Sequence, residues 1–234
     1  MKVLFCGAHP DDAEIFVFGT LFAYRSVQAE VVLVMATNGE GGAARRSPDQ
    51  PLGVTRGGEA RASAALLGAR LIALDLPDGG LSVARLALAD RLDRLFDLEQ
   101  PDLIITHSAH DYHPDHRALS CAVAVAAVDR CPLLYADTMK GALFHPTHYV
   151  DISAFQDAKF ACLRLHHSQM PRRYVLMALA LARRRGVEAT GSASAVMEAF
   201  RFDPHPKFNM ARLILPPNTL QRPAALPAYS PLDR

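Results

Sequence analysis

The sequence contains 234 residues, of which half are hydrophobic and 21% are charged, a composition typical of a globular protein that buries a full core. Its 25 Lys and Arg residues balance 24 Asp and Glu residues, so the formal net charge is +1. A dedicated nucleic-acid binder usually has an excess of basic residues, and a membrane-surface protein often has a polybasic anchor. The balanced charge argues against both classes of protein. No apolar run reaches the roughly 18 residues that span a bilayer.

The first residues, MKVLFCGAHPDD, predict a buried strand, because their apolar run is shorter than the core of a secretion signal. We therefore expect a cytoplasmic protein. The cysteines are far apart in the sequence and form no CxxC pair, which predicts free thiols rather than disulfides or a zinc–thiolate site. They are Cys6, Cys121, Cys131 and Cys162.

Strands and helices alternate from the start of the chain. Short apolar runs predict strands at 2–7, 30–36, 70–76, 102–107 and 132–137. Apolar residues at helical spacing predict helices at 13–27, 57–68, 82–99 and 115–129, the third capped by Ser82. This alternation predicts an α/β fold, with a Rossmann-like, mainly parallel sheet flanked by helices.

The second half of the chain is less regular. It predicts a strand at 148–152, helices at 154–167 and 173–185, and a last short strand at 212–215. The tail from residue 216 holds five of the 16 prolines, which predicts an extended arm at 216–234. We expect one domain over residues 1–234.

Polar residues follow each of the first four predicted strands, in the segments AHPDDAE, TNGEGG, LPDGG and HSAHDYHPDH. In a parallel sheet these loops share the carboxyl edge, and ligands bind there at the point where the strand order reverses. A strand order of 3-2-1-4-5 places that point between strands one and four. We therefore expect an active site at the carboxyl edge of these two strands, with His9 beside His116.

Imidazole and carboxylate groups together are typical ligands of Zn²⁺ or a similar divalent ion, and a catalytic zinc uses three protein ligands and one open position. His9 and Asp12 lie three residues apart across a turn that Pro10 stiffens, so both side chains can face one point. His116 completes the predicted ligand set from the neighbouring loop. His107 is interpreted as a structural residue that ends strand four.

The segments AHPDDAE and HSAHDYHPDH resemble the PIG-L/LmbE-like N-deacetylase family, zinc-dependent enzymes that remove acetyl groups from N-acetylglucosaminyl compounds, including those of mycothiol and bacillithiol biosynthesis. TNGEGG, RGGEARASAALLGA, LPDGGL and YVDIS also resemble family segments, and the resemblance covers residues 3–170. FVFGT departs from it, because family members often have a glycine-rich stretch there. Its bulky Phe16 and Phe18 predict altered helix packing with the chemistry retained.

The resemblance implies a role for each residue of the two motifs. The implied metal ligands are His9, Asp12 and His116. Zn²⁺ is the implied metal, with Fe²⁺ as the alternative. Asp11 is implied as the general base, and a carboxylate beside a metal suits that task. His113, as an imidazolium held by Asp115, is implied to assist the oxyanion and the leaving amine. The alternative for Asp115 is a helix N-cap.

Glu40, Arg56 and Asp78 resemble family positions that contact sugar hydroxyls, although Arg56 also fits a surface ion pair. Glu59 is interpreted as an intrahelical partner. The sequence thus predicts a zinc hydrolase that removes the N-acetyl group from a small amino-sugar conjugate, for which N-acetylglucosaminyl-malate is one candidate. We expect no nucleic-acid or membrane partner, and the sequence leaves homo-oligomerisation open.

Three alternatives remain at this point. The first is a zinc amidase that acts on a non-sugar N-acyl substrate. The second is a nucleotide-binding Rossmann module, but GAHPDD stands where dinucleotide binding needs GxGxxG, and its carboxylates would repel a pyrophosphate. The third is a non-catalytic zinc protein, which requires a blocked metal site.

Overall fold

The computed structural model describes residues 1–42, 50–140, 143–203, 207–208 and 215–221. The strands within these residues are β1 (Lys2–Gly7), β2 (Glu30–Thr37), β3 (Arg70–Leu76), β4 (Leu103–His107), β5 (Leu133–Ala136), β6 (His148–Asp151), β7 (Met197–Phe202) and β8 (Thr219–Gln221). The helices are α1 (Asp12–Phe16), α2 (Phe18–Ser26), α3 (Leu52–Leu67), α4 (Arg85–Glu99), α5 (Pro114–Ala127), α6 (Gln156–Leu163) and α7 (Pro171–Thr190). The predicted strand at 212–215 lies outside the described residues except for its last position, as does most of the predicted arm.

One mixed sheet runs through the described part of the chain, in the order β3-β2-β1-β4-β5-β7-β6-β8. The first five strands are parallel and follow the predicted order 3-2-1-4-5, which confirms the prediction. The last three add antiparallel pairings that the sequence did not predict. The strand order reverses between β1 and β4, so the loops after these two strands meet at the carboxyl edge.

Helices cover both faces of the sheet, and β1 shows how the alternation of a strand achieves this. Val3 and Phe5 face one buried cluster, together with side chains from α1, α2, α3, α6 and α7. Leu4 and Cys6 face the other cluster, which α4 and α5 complete. Both sides of the central strands are therefore removed from water, as in other α/β folds.

The predicted helix at 13–27 is two helices, because the chain leaves helical geometry at Val17, where φ is −136°. The break exposes the first amides of α2, and the Glu198 carboxylate of β7 accepts hydrogen bonds from two of them. The distances are 3.0 Å from the Gly19 amide and 2.7 Å from the Thr20 amide. A side chain about 180 residues away in sequence thus stabilises the start of α2.

Phe16 and Phe18, which were predicted to alter helix packing, flank this break. Phe18 is fully buried and meets the ring of Phe22 edge to face at 5.7 Å between ring centroids. Phe16 belongs to the same buried cluster and meets the ring of His107 at 5.7 Å, also edge to face. Phe16 therefore joins the hydrophobic core to the histidine cluster.

Other helix boundaries also differ from the predictions. α3 begins at Leu52, five residues earlier than predicted, and ends as expected at Gly68 in left-handed geometry, with φ of 70°. α4 begins at Arg85 with Ala84 at the N-cap, so Ser82 is not the predicted cap. Among the helices that the structure describes, none is both long enough and apolar enough to cross a bilayer.

Candidate metal and catalytic site

A cleft of about 220 Å³ opens at the carboxyl edge of β1 and β4. The loop after β1, the loop after β3 and the segment from β4 into α5 all contribute side chains to it. Most of the predicted site residues line this cleft, namely His9, Asp11, Asp12, Arg56, Asp78, His113 and His116. Its remaining side chains include Tyr112, Met139, Gln169 and Tyr174.

The three predicted metal ligands converge at the floor of the cleft. His9 Nδ1 lies 3.2 Å from His116 Nε2 and 3.4 Å from Asp12 Oδ2. His116 Nε2 lies 3.3 Å from Asp12 Oδ1. All three residues are buried, and the His9 amide donates to Asp12 Oδ2 at 2.7 Å, which holds the turn closed. Four potential ligand atoms from two distant loops therefore face one point.

The Asp12 carboxylate and the imidazoles around it shift one another's pKa values. Although burial raises the pKa of Asp12, the imidazoles of His116, His107 and His9 hold it well below its ordinary value. Although burial lowers the pKa of His116, Asp12 raises it to about 9. The cluster therefore stabilises positive charge at its centre.

His107 ends β4 as predicted and is fully buried. Its ring stacks on that of His116, at 3.8 Å between ring centroids and 9° between planes. Its Nε2 lies 3.1 Å from the Ala8 amide and 3.0 Å from Asp12 Oδ2, and the tautomer of the ring decides whether this nitrogen accepts from the amide or donates to the carboxylate. Burial, followed by the neighbouring His116, lowers the pKa of His107 to about 4. This environment favours the neutral ring.

Asp11 turns away from Asp12, towards Arg56. The distance from Arg56 Nη2 to Asp11 Oδ1 is 2.8 Å, and Arg56 Nη1 donates to the Gly39 carbonyl at 2.8 Å. Arg56 is 3% exposed, so the alternative of a surface ion pair is wrong. Gly39 has a φ of 71°, and a Cβ there would lie 2.7 Å from the guanidinium, so glycine leaves room for this ion pair.

His113 is the N-cap of α5, and its Nδ1 accepts a hydrogen bond from the Asp115 amide at 3.3 Å. The alternative of an N-cap role for Asp115 is therefore wrong. A ring nitrogen that accepts a hydrogen bond carries no proton, so the proton of neutral His113 is on Nε2. Burial, followed by the neighbouring His9 and His116, lowers the pKa of His113 below its ordinary value. This environment favours the neutral ring over the expected imidazolium.

The Asp115 carboxylate binds elsewhere. It accepts hydrogen bonds from the Gly79 amide at 2.7 Å and the Leu81 amide at 3.1 Å, in the loop after β3, and lies 3.7 Å from His9 Nε2. Among the described hydrogen bonds, only the backbone of Asp115 meets the ring of His113. The expected pair of the Asp115 carboxylate with the His113 ring does not form. The carboxylate instead links α5 to the β3–α4 loop, because it binds the two loop amides.

The three residues predicted to contact sugar hydroxyls separate in the structure. Arg56 and Asp78 line the cleft. Glu40 is exposed, accepts a hydrogen bond from the Gly53 amide at 2.6 Å and lines a neighbouring groove along α3 instead. Its expected position in the site is therefore wrong, because its carboxylate binds the amino end of α3. Glu59 is no intrahelical partner and instead binds the amide and hydroxyl of Ser168, at 2.8 and 2.7 Å.

Sequence reasoning gave no role to Asp111, Tyr112 or Tyr174. Asp111 is 2% exposed, and its Oδ1 lies 3.1 Å from His116 Nδ1 and accepts from the His113 amide at 2.8 Å. Its place within HSAHDYHPDH was the available signal. The two tyrosines form the outer wall of the cleft, and no pattern in the sequence marks them.

Comparison with known proteins gives a family match and related enzymes. The model of the GlcNAc-PI de-N-acetylase family, PIG-L, matches residues 4–127, more than half of the chain. The diacetylchitobiose deacetylase of Thermococcus kodakarensis is 29% identical over 189 residues, which cover 73% of this chain and 70% of the relative. The 1D-myo-inositol 2-acetamido-2-deoxy-alpha-D-glucopyranoside deacetylase of Saccharomonospora viridis is 27% identical over 228 residues, covering 72% of this chain and 85% of the relative.

The fold is also shared with an enzyme of different chemistry. The crystal structure of the 4-carboxy-2-hydroxymuconate hydratase from Pseudomonas putida KT2440 is similar, with a TM-score of 0.77 and 20% sequence identity, over 89% of this chain and 99% of that chain. This likeness concerns the fold alone. The reaction has to be argued from the site and from the sequence relatives.

Proposed function

The chain belongs to the PIG-L (GlcNAc-PI de-N-acetylase) family of N-deacetylases, and we propose that it removes the acetyl group from a small N-acetylglucosaminyl-type conjugate with Zn²⁺ held by His9, Asp12 and His116. Both sequence relatives are amino-sugar deacetylases, which supports this substrate class. Hydrolysis of the acetamide yields acetate and the free amine. A non-sugar N-acyl substrate remains the alternative within the same chemistry.

The spacing of the three predicted ligands carries the proposal. Ligand atoms at about 2.0–2.2 Å from a tetrahedral zinc are roughly 3.3 Å from one another. The separations of 3.2, 3.4 and 3.3 Å among His9, Asp12 and His116 match that value. In the metal-free protein a protonated His116, whose pKa Asp12 raises, can hold the same arrangement, and a bound divalent cation would take the place of that proton.

His107 and His113 are also close to this point but suit the ligand role less well. The ring of His107 is fully buried and does not line the cleft, and its Nε2 lies within hydrogen-bond distance of both the Ala8 amide and Asp12 Oδ2. His113 is half-buried and lines the cleft, and its Nδ1 accepts the Asp115 amide at the start of α5. These differences leave His9, Asp12 and His116 as the proposed set.

When bound, the metal polarises the acetamide carbonyl and makes a water molecule acidic enough to attack at neutral pH. Asp11 lies next to ligand Asp12 in sequence but is held off the ligand cluster by Arg56. Among the described residues none donates a hydrogen bond to its second carboxylate oxygen, which can accept the proton of the attacking water. We assign Asp11 as the general base and Arg56 as the residue that positions it.

His113 supplies the second polar function of the site. With Nδ1 bound to the Asp115 amide, its proton is on Nε2, and the ring lines the cleft beside His9 at 4.7 Å between ring centroids. From there Nε2–H can donate to the oxygen that becomes negative as water attacks. Protonation of the leaving amine uses the proton that Asp11 has taken from the water.

The outer cleft suits a sugar ring. Tyr112, Met139 and Tyr174 line the cleft together with the polar residues of the proposed metal site. Sugars expose apolar C–H faces as well as hydroxyls, so an aromatic wall with a polar floor can hold a hexosamine while the acetamide points inward.

The test is a panel of N-acetylated amino sugars and non-sugar N-acyl compounds, assayed for free amine with the zinc-loaded protein. We expect release from N-acetylglucosaminyl compounds, and loss of both bound metal and activity in His116→Ala. His110→Ala is the matched control, since His110 is an exposed histidine of the same loop. Release from the non-sugar compounds alone would replace the substrate class, and full metal content in His116→Ala would remove His116 from the ligand set.

A further inference from the structure

Two largely buried carboxylates flank the histidines of the proposed metal site. Each lies next to the ring nitrogen that points away from the proposed metal position. Asp78 Oδ1 lies 3.2 Å from His9 Nε2, and Asp111 Oδ1 lies 3.1 Å from His116 Nδ1. The Asp78 side chain is 10% exposed and that of Asp111 is fully buried. We propose that Asp78 and Asp111 are positioning residues that set the tautomer, orientation and metal affinity of His9 and His116, an inference that rests on the proposed metal site.

The argument begins with the protons of the two rings. A neutral imidazole has one N–H, and a metal binds the other nitrogen through its lone pair. His9 turns Nδ1 towards His116 and Asp12, so a metal-binding His9 must carry its proton on Nε2. That nitrogen faces the Asp78 carboxylate, with 3.2 Å between His9 Nε2 and Asp78 Oδ1.

The same argument applies to His116, whose ring has the opposite orientation. Its Nε2 faces His9 and Asp12, so its proton belongs on Nδ1, which faces Asp111. The two rings therefore need opposite tautomers, and each has a carboxylate on the side where its proton must be. A carboxylate in this place also makes the metal-binding nitrogen a stronger electron donor.

Both carboxylates are themselves held in place. Asp78 Oδ2 accepts from the Gly41 amide at 3.0 Å, and Arg56 Nη1 lies 3.9 Å away. Asp111 Oδ1 also accepts from the His113 amide at 2.8 Å. The loops after β2 and β4 therefore anchor the two supports, which limits how far either histidine can rotate.

This assignment changes the role expected for Asp78. As a sugar contact, Asp78 would offer its oxygens to substrate hydroxyls. In the structure one oxygen faces His9 and the other accepts the Gly41 amide. Asp115 also faces His9 Nε2, at 3.7 Å, but two loop amides already bind its carboxylate. Asp78 is therefore the nearer support of His9.

The experiment measures the zinc dissociation constant of the metal-free protein by competition with a chromogenic chelator. We expect Asp78→Asn and Asp111→Asn to bind zinc about 10–100-fold more weakly than the wild type, because both lose the charge that holds the ring proton. With zinc at saturation, the KM of Asp78→Asn for the acetylated substrate stays close to that of the wild type. The matched control is Asp75→Asn, an exposed position with φ of 52° that asparagine tolerates.

The outcomes are distinguishable. Wild-type zinc affinity in Asp78→Asn together with a raised KM overturns the inference and returns Asp78 to the substrate. A wild-type protein that binds no zinc, or whose zinc affinity is unaffected in His116→Ala, overturns the metal site itself whatever the Asp variants do. If Asp111→Asn does not fold, Asp78→Asn decides the inference, because its side chain lies at the edge of the cleft.

Discussion

Arg56 and Asp11 form a buried ion pair at the amino end of α1, with 2.8 Å between Arg56 Nη2 and Asp11 Oδ1. Both side chains are less than a tenth exposed. The guanidinium also binds the Gly39 carbonyl, so it joins α3, the loop after β2 and the loop after β1. This link turns one of two adjacent carboxylates out of the metal cluster and leaves the other in it.

We expect Arg56→Lys to retain metal but to lower kcat about 10-fold or more, because a lysine keeps the charge and loses the planar fork that binds two oxygens at once. Arg56→Ala leaves Asp11 buried without a partner, which costs roughly 3–5 kcal/mol of stability. The measurements are kcat, bound zinc and urea unfolding. Arg61→Lys, an exposed position of the same helix, should behave as the wild type. Unchanged kcat in Arg56→Lys would separate Arg56 from the placement of the base.

The adjacent carboxylates Asp11 and Asp12 should respond differently to the same substitution. Asp12→Asn should weaken zinc binding, because an amide is a poorer ligand than a carboxylate. Asp11→Asn should keep the metal and lower kcat by about 10²–10⁴-fold, because only the base is lost. Metal stoichiometry and kcat, measured on both variants, test the assignment. Loss of metal from Asp11→Asn alone would exchange the two roles, and a fully active Asp11→Asn would contradict the proposed mechanism.

His113 combines a structural and a chemical role, and two variants can separate them. His113→Ala removes the N-cap of α5, which costs about 1 kcal/mol, and removes the donor, which costs about 10²–10³-fold in kcat. His113→Asn keeps a side chain that caps helices well, so we expect its melting temperature near the wild-type value and its kcat as low as that of the Ala variant. Bound zinc should be unchanged in both. Recovery of kcat in the Asn variant would limit His113 to capping.

The sequence predicted the parallel half of the sheet well because each strand there carries a local signal. Apolar runs such as 2–7 and 70–76 match β1 and β3, and polar residues mark where the strands end. The alternation of strands and helices, together with the polar loops after the strands, predicted that His9 and His116 converge. In the structure His9 Nδ1 lies 3.2 Å from His116 Nε2. These features depend on residues within short segments of the chain, so they can be predicted from a single sequence.

The remaining features depend on partners that are remote in sequence. The break at Val17 is stabilised by Glu198, and nothing near Val17 indicates it. Asp115 was paired with His113 because they are neighbours, yet the β3–α4 loop donates two amides to its carboxylate. Glu40 lies beside a conspicuous loop motif, but the amino end of α3 binds it. Several hydrogen-bond donors compete for each of these carboxylates. The spacing of residues in the sequence does not reveal which donor binds in the folded protein.

The opposite edge of the sheet offers a prediction on stability against pH. Glu99, at the end of α4, accepts from Arg70 at 2.9 and 2.5 Å and from Lys2 at 3.2 Å, which joins α4 to β3 and β1. Arg70, followed in effect by Lys2, lowers the pKa of Glu99 below its ordinary value, against the opposing effect of burial. A carboxylate whose folded pKa is lowered contributes stability above its unfolded pKa and loses that contribution as the pH falls through the folded value.

We therefore expect Glu99→Gln to lower the free energy of unfolding by about 1 kcal/mol at pH 7, a modest value because Arg70 is about half exposed and water screens the pair. The difference from the wild type should shrink as the pH falls below the ordinary pKa of a glutamate and through the lowered pKa of Glu99 in the folded protein. Urea unfolding from pH 7 to pH 3 measures it. Glu30→Gln is the control, since Glu30 lies 3.5 Å from Lys2 and 3.6 Å from Arg70 but is 52% exposed, so its effect should be smaller. A difference for Glu99→Gln that stays constant over this range would show that its packing, and not its charge, stabilises the fold.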